Sequence, residues 1–280
     1  MVYSWIEFIT MPVMLIKVPV FAVITDNPIF LSTSIGVYII SLYCASFALC
    51  ISLLAAQFVF RYFLICRPNS TLVTVGHKYI VLFIPCILCF LLWFVCVHFC
   101  FATDDLRISH LRDIMKLQYN LDTNQVPFSS VMFWTTDNNG DKNYPLINTL
   151  GVLGCDFIIT VCFSTIIFCG LSIRSKMNQF AWKSEKTKQL NRQLFRTLIA
   201  QTILPLILMY TPVGTDLTTP LLGIDLNLIV NLTSLSIATY QVLEPLIAIC
   251  GIKMFRSAVL SFGRNKTSTT TTNQKVVPIS

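Results

Sequence analysis

The sequence predicts an all-α, multi-span membrane helix bundle, and three observations predict it. Hydrophobic residues make up 55% of the 280 and charged residues only 12%, with a mean hydropathy of +0.71, well outside the balance of a soluble globular domain. The apolar residues fall into uncharged runs of membrane length, the clearest from Ile35 to Phe60, against the ~20 residues a helix needs to cross a bilayer. Lys and Arg collect in the connectors between these runs and not on one surface, so the net charge of +7 reflects topology and argues against a nucleic-acid partner.

In chain order, residues 5–24 are apolar but carry Glu7, Lys17, Pro12 and Pro19, and read as a marginal span. No basic segment precedes them and no small-residue cleavage site follows, which makes a signal peptide the poorer reading. Residues 25–33 are a polar connector, and spans follow at 35–60, 79–102 and 146–173. Between the last two, residues 104–146 hold Asp104, Asp105, Asp113, Asp122, Asp137 and Asp141 and are broken by Gly140 and Pro145, which reads as an aqueous loop. A Lys-rich connector at 174–196 leads into a span at 197–213, a short loop with Asp216 and Asp225, and a last span at 227–252. In the 253–280 tail, Met254, Phe255, Val259 and Phe262 alternate with Lys253, Arg256 and Arg264 as an amphipathic segment on the inner membrane surface, before the low-complexity run TSTTTTN.

The stretch 188–214 passes without a break from basic to apolar. Arg192 and Arg196 then sit where the helix meets water, and Pro205, which lacks a backbone donor, bends it in mid-membrane. Short loops rich in Lys and Arg stay in the cytoplasm. Segments 61–78, 174–196 and 253–280 hold 3, 7 and 5 of the 20 Lys and Arg, and the opposite side holds 4, all in the long loop. The tail is therefore expected in the cytoplasm and 104–146 outside, in a multi-pass plasma-membrane protein. The sequons at Asn69, Asn231 and Asn265 then fall at cytoplasmic or intramembrane positions and are expected to stay unglycosylated.

The 11 cysteines lie almost wholly inside spans and read as small apolar fillers. None falls between residues 101 and 154, so the long loop has no internal disulfide, and no cluster suits a metal. No nucleophile, base and orienting group occur together, and no Gly-rich phosphate loop is present, so neither catalysis nor a cofactor is expected. Asp156 is the one acid at its depth in an apolar span and is expected to face the bundle interior, to touch a ligand or to bond a neighbouring helix. Asn227, Asn231, Ser234, Gln241 and Glu244 recur at helical spacing along the last span as a polar stripe; interhelical bonding accounts for most of them, and a ligand cavity needs one or two.

The segments LNRQLFRTLIAQTILPLILMYTP, FVFRY and YQVLEPLIAICGIKMFRSAV resemble the corresponding stretches of nematode seven-transmembrane chemoreceptors of the Str superfamily. The resemblance covers most of residues 1–262. By it, Phe60-Arg61-Tyr62 stands in place of the family's Tyr-Arg-Tyr, and Glu244-Pro245 in place of its Asp-Pro or Asn-Pro. On its position alone Arg61 reads as an interfacial anchor; the resemblance implies a part in the signalling switch, with Arg192, Arg196, Pro205, Glu244 and Pro245. It also implies an odorant-like small-molecule ligand, with Asp156, Asn231, Ser234 and Gln241 as its polar contacts, a heterotrimeric G protein as partner, and sensory cilia as location. ITMPVML resembles the end of the family's second span, so the first span and most of the second are expected to be missing from this chain. The alternatives are an ion or solute transporter or channel subunit, using Asp156 and Glu244, and a non-functional receptor fragment; the sequence shows no internal repeat of the kind transporters carry.

Overall fold

The computed structural model describes residues 2–25, 33–70, 78–123, 126–137, 140–179, 185–224 and 230–251. A short helix α1 (Val2–Thr10) leads into a hairpin of β1 (Pro12–Lys17) and β2 (Val20–Thr25), then the long helix α2 (Thr33–Cys66). Helix α3 (Phe83–Val95) is entered by a 3-10 turn, Lys78–Leu82, and left by a π-helical turn, Cys96–Cys100. Helix α4 (Asp105–Tyr119), strand β3 (Phe128–Met132) and a small hairpin, β4 (Thr135–Thr136) with β5 (Lys142–Asn143), precede α5 (Leu146–Gln179). Helix α6 (Glu185–Pro205) continues through a π-helical turn, Leu206–Tyr210, into α7 (Thr211–Leu221), and α8 (Val230–Gly251) closes the bundle.

Among the described residues, four helical stretches are long and apolar enough to cross a membrane: Thr33–Cys66, Ile80–Cys100, Leu146–Met177 and Gln189–Pro220. The central one is α2, packed between α3 and α5, while α6 packs on α8. Cys155, Ile158, Cys162, Ile166, Cys169 and Ile173 form one buried stripe of α5, where thiols fill gaps too small for larger side chains. The other side carries Phe157, Phe168 and Leu171, each about two-thirds exposed, the surface expected of a helix whose outer side meets lipid. In the α6–α7 stretch, the proline at 205 is followed by the π-helical turn, and Ser236 Oγ of α8 donates to the Leu208 carbonyl there at 2.7 Å. A neighbouring helix thus supplies a partner for backbone in an interrupted stretch.

Three expectations need correction. The 5–24 stretch is helix α1 followed by the β1–β2 hairpin, so ITMPVML turns from helix to strand at Met11. Pro12 takes the first position of β1, Pro19 falls in the turn, and Val and Ile fill the strands between, a composition that favours pleated backbone. The 104–146 segment is not a plain loop, since it supplies α4 and also β3, which joins the hairpin in an antiparallel sheet of order β1-β2-β3. Asp216, expected in a short loop, lies within α7 and is only 3% exposed, because the helix runs on to Leu221. Asp225, Asn227, Asn265 and the whole 253–280 tail lie outside the described residues.

The sheet is buried on both faces. Met14, Ile16, Phe21, Val23 and Val131 point into the main core with the bundle helices, while Leu15, Val20, Ala22, Ile24, Phe128 and Met132 pack under Leu111 and Met115 of α4. With apolar neighbours above and below, the strands have no polar face and show no alternation of polarity. Helix α4 is held at its start by Asp104, whose carboxylate accepts from the Arg107 amide at 2.9 Å, and at its end by Asn120 in the left-handed region at φ 55°. The sheet therefore forms a roof over one end of the bundle, and α4 covers the roof. Gly36 at the start of α2 lets this roof approach, since a Cβ there would collide with Pro127 Cγ.

Candidate functional site

Beneath the sheet the helices enclose a cavity of about 90 Å³. Met14, Phe21 and Val23 of the hairpin and Ser129, Ser130 and Val131 of β3 form its ceiling. Tyr43 and Phe47 of α2, Trp93 of α3, Val97 of the π-helical turn, Cys155 of α5, Leu217 of α7 and Ile237 of α8 form walls and floor. The walls are stiffened by aromatic contacts, with Phe47 against Trp93 at 5.8 Å between ring centroids and edge-on to Tyr210 at 4.6 Å. Tyr210 lies in the π-helical turn after Pro205, so the interrupted helix presents its ring to the floor of the site. Its hydroxyl donates to the Phe47 carbonyl at 3.4 Å, a long bond that adds little to the ring contact.

The polar groups of the cavity are few. Ser129 Oγ is engaged, donating to the Phe101 carbonyl at 3.2 Å. Ser130, 1% exposed, borders the cavity, but it pairs with Ala22 and its side chain shares the α4 face with Phe128 and Met132, where its Oγ is buried without a hydrogen-bond partner among the described residues. A buried hydroxyl left in this state costs about 1–3 kcal/mol, and from this face it does not meet a molecule bound beneath the sheet. Asp156 also lines the cavity, but at its edge and exposed, because the buried stripe of α5 runs through Cys155 and Ile158 and leaves position 156 turned aside.

The ceiling is tied down by Arg107 of α4, which is 7% exposed. Its Nη1 donates to the Ala102 carbonyl and to the Ser130 carbonyl at 2.8 Å, and Nη2 donates to Asn148 Oδ1 at 3.0 Å. Asn148 in turn donates to the Met132 carbonyl at 3.0 Å. Burial pulls the guanidinium below its ordinary pKa while Asp104, 3.5 Å from Nε, pushes it back up. These bonds hold β3, the end of the α3 stretch and the start of α5 together in a loop with no disulfide of its own.

The other residues singled out by sequence fall elsewhere. Ser234 and Gln241 are half-buried on α8, where Ser234 Oγ and Gln241 Nε2 lack partners among the described residues; neither lines the cavity, whose α8 wall is Ile237. Asn231, Glu244 and Pro245 lie within α8, and the side chains of the first two are outside the described set. At the far end of the bundle, Phe60 is exposed and Arg61 and Tyr62 are half-buried on α2. Tyr62 lines a groove of about 450 Å³ with Ser172, Ser175 and Lys176 of α5. Arg192 and Arg196 line a separate crevice of about 480 Å³ against Ile247 of α8. The structure thus brings Asp156 to the cavity, and Arg192 and Arg196 to each other, but gathers neither expected set into one place.

Sequence reasoning missed the ceiling altogether: Met14, Phe21, Val23, Ser130 and Arg107 sat in stretches read as a marginal span or a loop. The usable signal was two proline-bounded runs of Val and Ile too short for helices.

The comparisons with known proteins agree in kind. A family model described as serpentine type 7TM GPCR chemoreceptor Str matches residues 1–260. The chain is 29% identical to serpentine receptor class r-10 of Caenorhabditis elegans over 99% of its own length and 84% of that protein. It is 29% identical to serpentine receptor class r-10 of Caenorhabditis briggsae, covering 93% and 76% respectively. With G-protein coupled receptor str-33 of Caenorhabditis elegans it shares 23% identity, over 78% of this chain and 64% of the other. No solved structure matches the chain.

Proposed function

The chain belongs to the Str family of serpentine seven-transmembrane chemoreceptors, a family of membrane receptors and not of enzymes, and on that footing we propose that it detects a small, mainly apolar molecule in the cavity beneath the sheet and signals to a heterotrimeric G protein. The observation that carries this reading is the cavity itself, lined by aromatic and aliphatic side chains with few polar groups, Ser129 Oγ in its ceiling among them. Ligand sites are built this way, apolar with a few placed polar groups. At about 90 Å³ the space suits a compact, volatile-sized molecule better than a drug-sized one, for which about 300–1,000 Å³ is usual. Asp156 at the edge is the second polar contact, with the Asn231, Ser234 and Gln241 face of α8 as outer support.

In this reading the sheet end faces outward and the Arg61 end faces the cytoplasm of a plasma-membrane protein, in accord with the distribution of Lys and Arg; by family resemblance the membrane is that of a sensory cilium. Ligand binding shifts the population towards a conformer in which the stretch bearing Pro205 and the π-helical turn has moved, opening the far end to the G protein. Tyr210 links the two events, since it sits on that turn and touches Phe47 of the cavity wall. Arg61, flanked by Phe60 and Tyr62, is the main coupling residue; Arg192, Arg196 and the Glu244-Pro245 pair contribute more weakly.

The test is a G-protein activation assay in cells expressing the full chain, challenged with a panel of uncharged small molecules graded in size, with surface level measured in parallel. A saturable response to compact members that declines with ligand size supports the reading. Ion flux dependent on Asp156 and independent of any G protein would replace it with a transporter.

A further inference from the structure

The crevice that Arg192 and Arg196 line lies between α6 and α8, towards the Arg61 end of the bundle. On α6 Phe195 and Leu198 are the buried side, at 7% and 3% exposed. Arg192 and Arg196 lie on a different side, exposed, and the positions one and two turns further along that side are Ile199 and Ile203, at 36% and 48% exposed. Across the crevice α8 presents Ile247, beside Leu246 at 48% exposed. One continuous strip therefore runs from two cations into exposed apolar surface along a span. The cations are four residues apart on the helix, about 6 Å along the axis, close enough for both guanidiniums to reach one multiply charged anion. Among the described residues neither has an ion-pair partner and no acid lines the crevice of about 480 Å³.

We propose that this crevice is a binding site for a membrane lipid with a polyphosphorylated headgroup, a phosphoinositide of the cytoplasmic leaflet. The headgroup lies between Arg192 and Arg196, with Gln193 beside them, and the acyl chains descend over Ile199 and Ile203. A soluble phosphate would satisfy the arginines but leave the isoleucines unused; a neutral phospholipid would satisfy the isoleucines only. Basic crevices between spans on the cytoplasmic side are suited to such headgroups, and the forked guanidinium matches phosphate oxygens pairwise. The leaflet named rests on the orientation proposed above, while binding itself requires neither agonist nor G protein.

The full chain, purified in detergent, is titrated with dioctanoyl phosphatidylinositol bisphosphate, dioctanoyl phosphatidylcholine and inositol trisphosphate, and bound lipid is counted by native mass spectrometry. Saturable binding of the phosphoinositide is expected, with weak binding of the other two. In Arg192→Gln/Arg196→Gln its affinity falls about tenfold or more, as the loss of charge-assisted contacts requires. Arg192→Lys/Arg196→Lys keeps part of it, and Arg174→Gln on α5 keeps all; thermal unfolding of each variant shows that it is folded. Undiminished phosphoinositide binding by the Gln variant overturns the proposal. So does inositol trisphosphate binding as tightly as the lipid, which would mark a soluble-anion site. Because no signalling step enters the measurement, its failure leaves the receptor reading standing.

Discussion

The Arg107 guanidinium of α4 donates to the Asn148 carboxamide of α5 at 3.0 Å, joining the covering helix to the bundle directly over the cavity. Elsewhere such a loop is often stapled by a disulfide; here a buried side-chain network ties it down. Arg107→Ala leaves the Ser130 carbonyl and Asn148 without their donor. It is expected to destabilise the protein by about 1–3 kcal/mol, the scale for leaving buried acceptors without their donor. Arg107→Lys keeps the charge but loses the fork, and should fall between. Thermal unfolding of the purified variants checks this, and an unchanged midpoint for Arg107→Ala would show that the roof is held by its apolar contacts alone.

Ser130 and Ser129 adjoin in β3 and should behave in opposite ways. Ser130→Ala removes a buried hydroxyl without a described partner on the α4 face of the sheet, so the protein should be as stable as before or slightly more so, with agonist potency unchanged. Ser129→Ala removes the hydroxyl on the cavity face together with its bond to the Phe101 carbonyl, and should cost stability and lower agonist potency by about 1 kcal/mol, roughly five- to tenfold. Dose–response curves paired with unfolding midpoints separate the two; equal potency losses would mean that the cavity face of β3 does not decide which hydroxyl the ligand meets.

These contrasts show what the sequence could and could not reveal. The long uncharged runs around α2, α3 and α5 were legible because a lipid-facing helix of about 20 residues or more leaves a compositional mark that tertiary contacts cannot erase. The roof was not, because β1 and β2 are apolar on both faces, and a short apolar run of this kind cannot be told from buried helix by periodicity. Asp156 was visible as an unusual acid, but its turn towards the edge of the cavity depends on which neighbours bury Cys155 and Ile158. Ser130 and Arg107 carried no local signal, since their roles come from pairings 23 and 41 positions apart along the chain.

Gly36 sets the distance between the roof and α2. Gly36→Val puts a branched side chain into the space that Pro127 Cγ and Cβ already fill, so the strand-bearing loop must move. Limited proteolysis between α4 and β3 should become several-fold faster at equal protein amount. An unchanged rate would show that the contact yields without displacing the roof.

Arg61→Ala should lower agonist-evoked G-protein activation while leaving surface level near normal, since the side chain is half-buried at the end of α2 and outside the packed core. Tags at residues 125 and 275 of the same protein should be reachable from outside and inside the cell respectively. Full activation by Arg61→Ala at normal surface level reduces the residue to an interfacial anchor.

The central claim is that the ligand occupies the space beneath the sheet, and filling that space tests it most directly. Val131 is 3% exposed and lines the cavity from its ceiling. Val131→Phe adds bulk there at a strain cost of about 1–3 kcal/mol, so the comparison is made at matched surface level. Agonist-evoked G-protein activation is measured for this variant against the unaltered chain, with ligand-independent activity as the internal control. The account predicts that the agonist response is lost or shifted by more than about tenfold while ligand-independent activity persists. An agonist curve superimposable on that of the unaltered chain would place the ligand elsewhere and contradict the account.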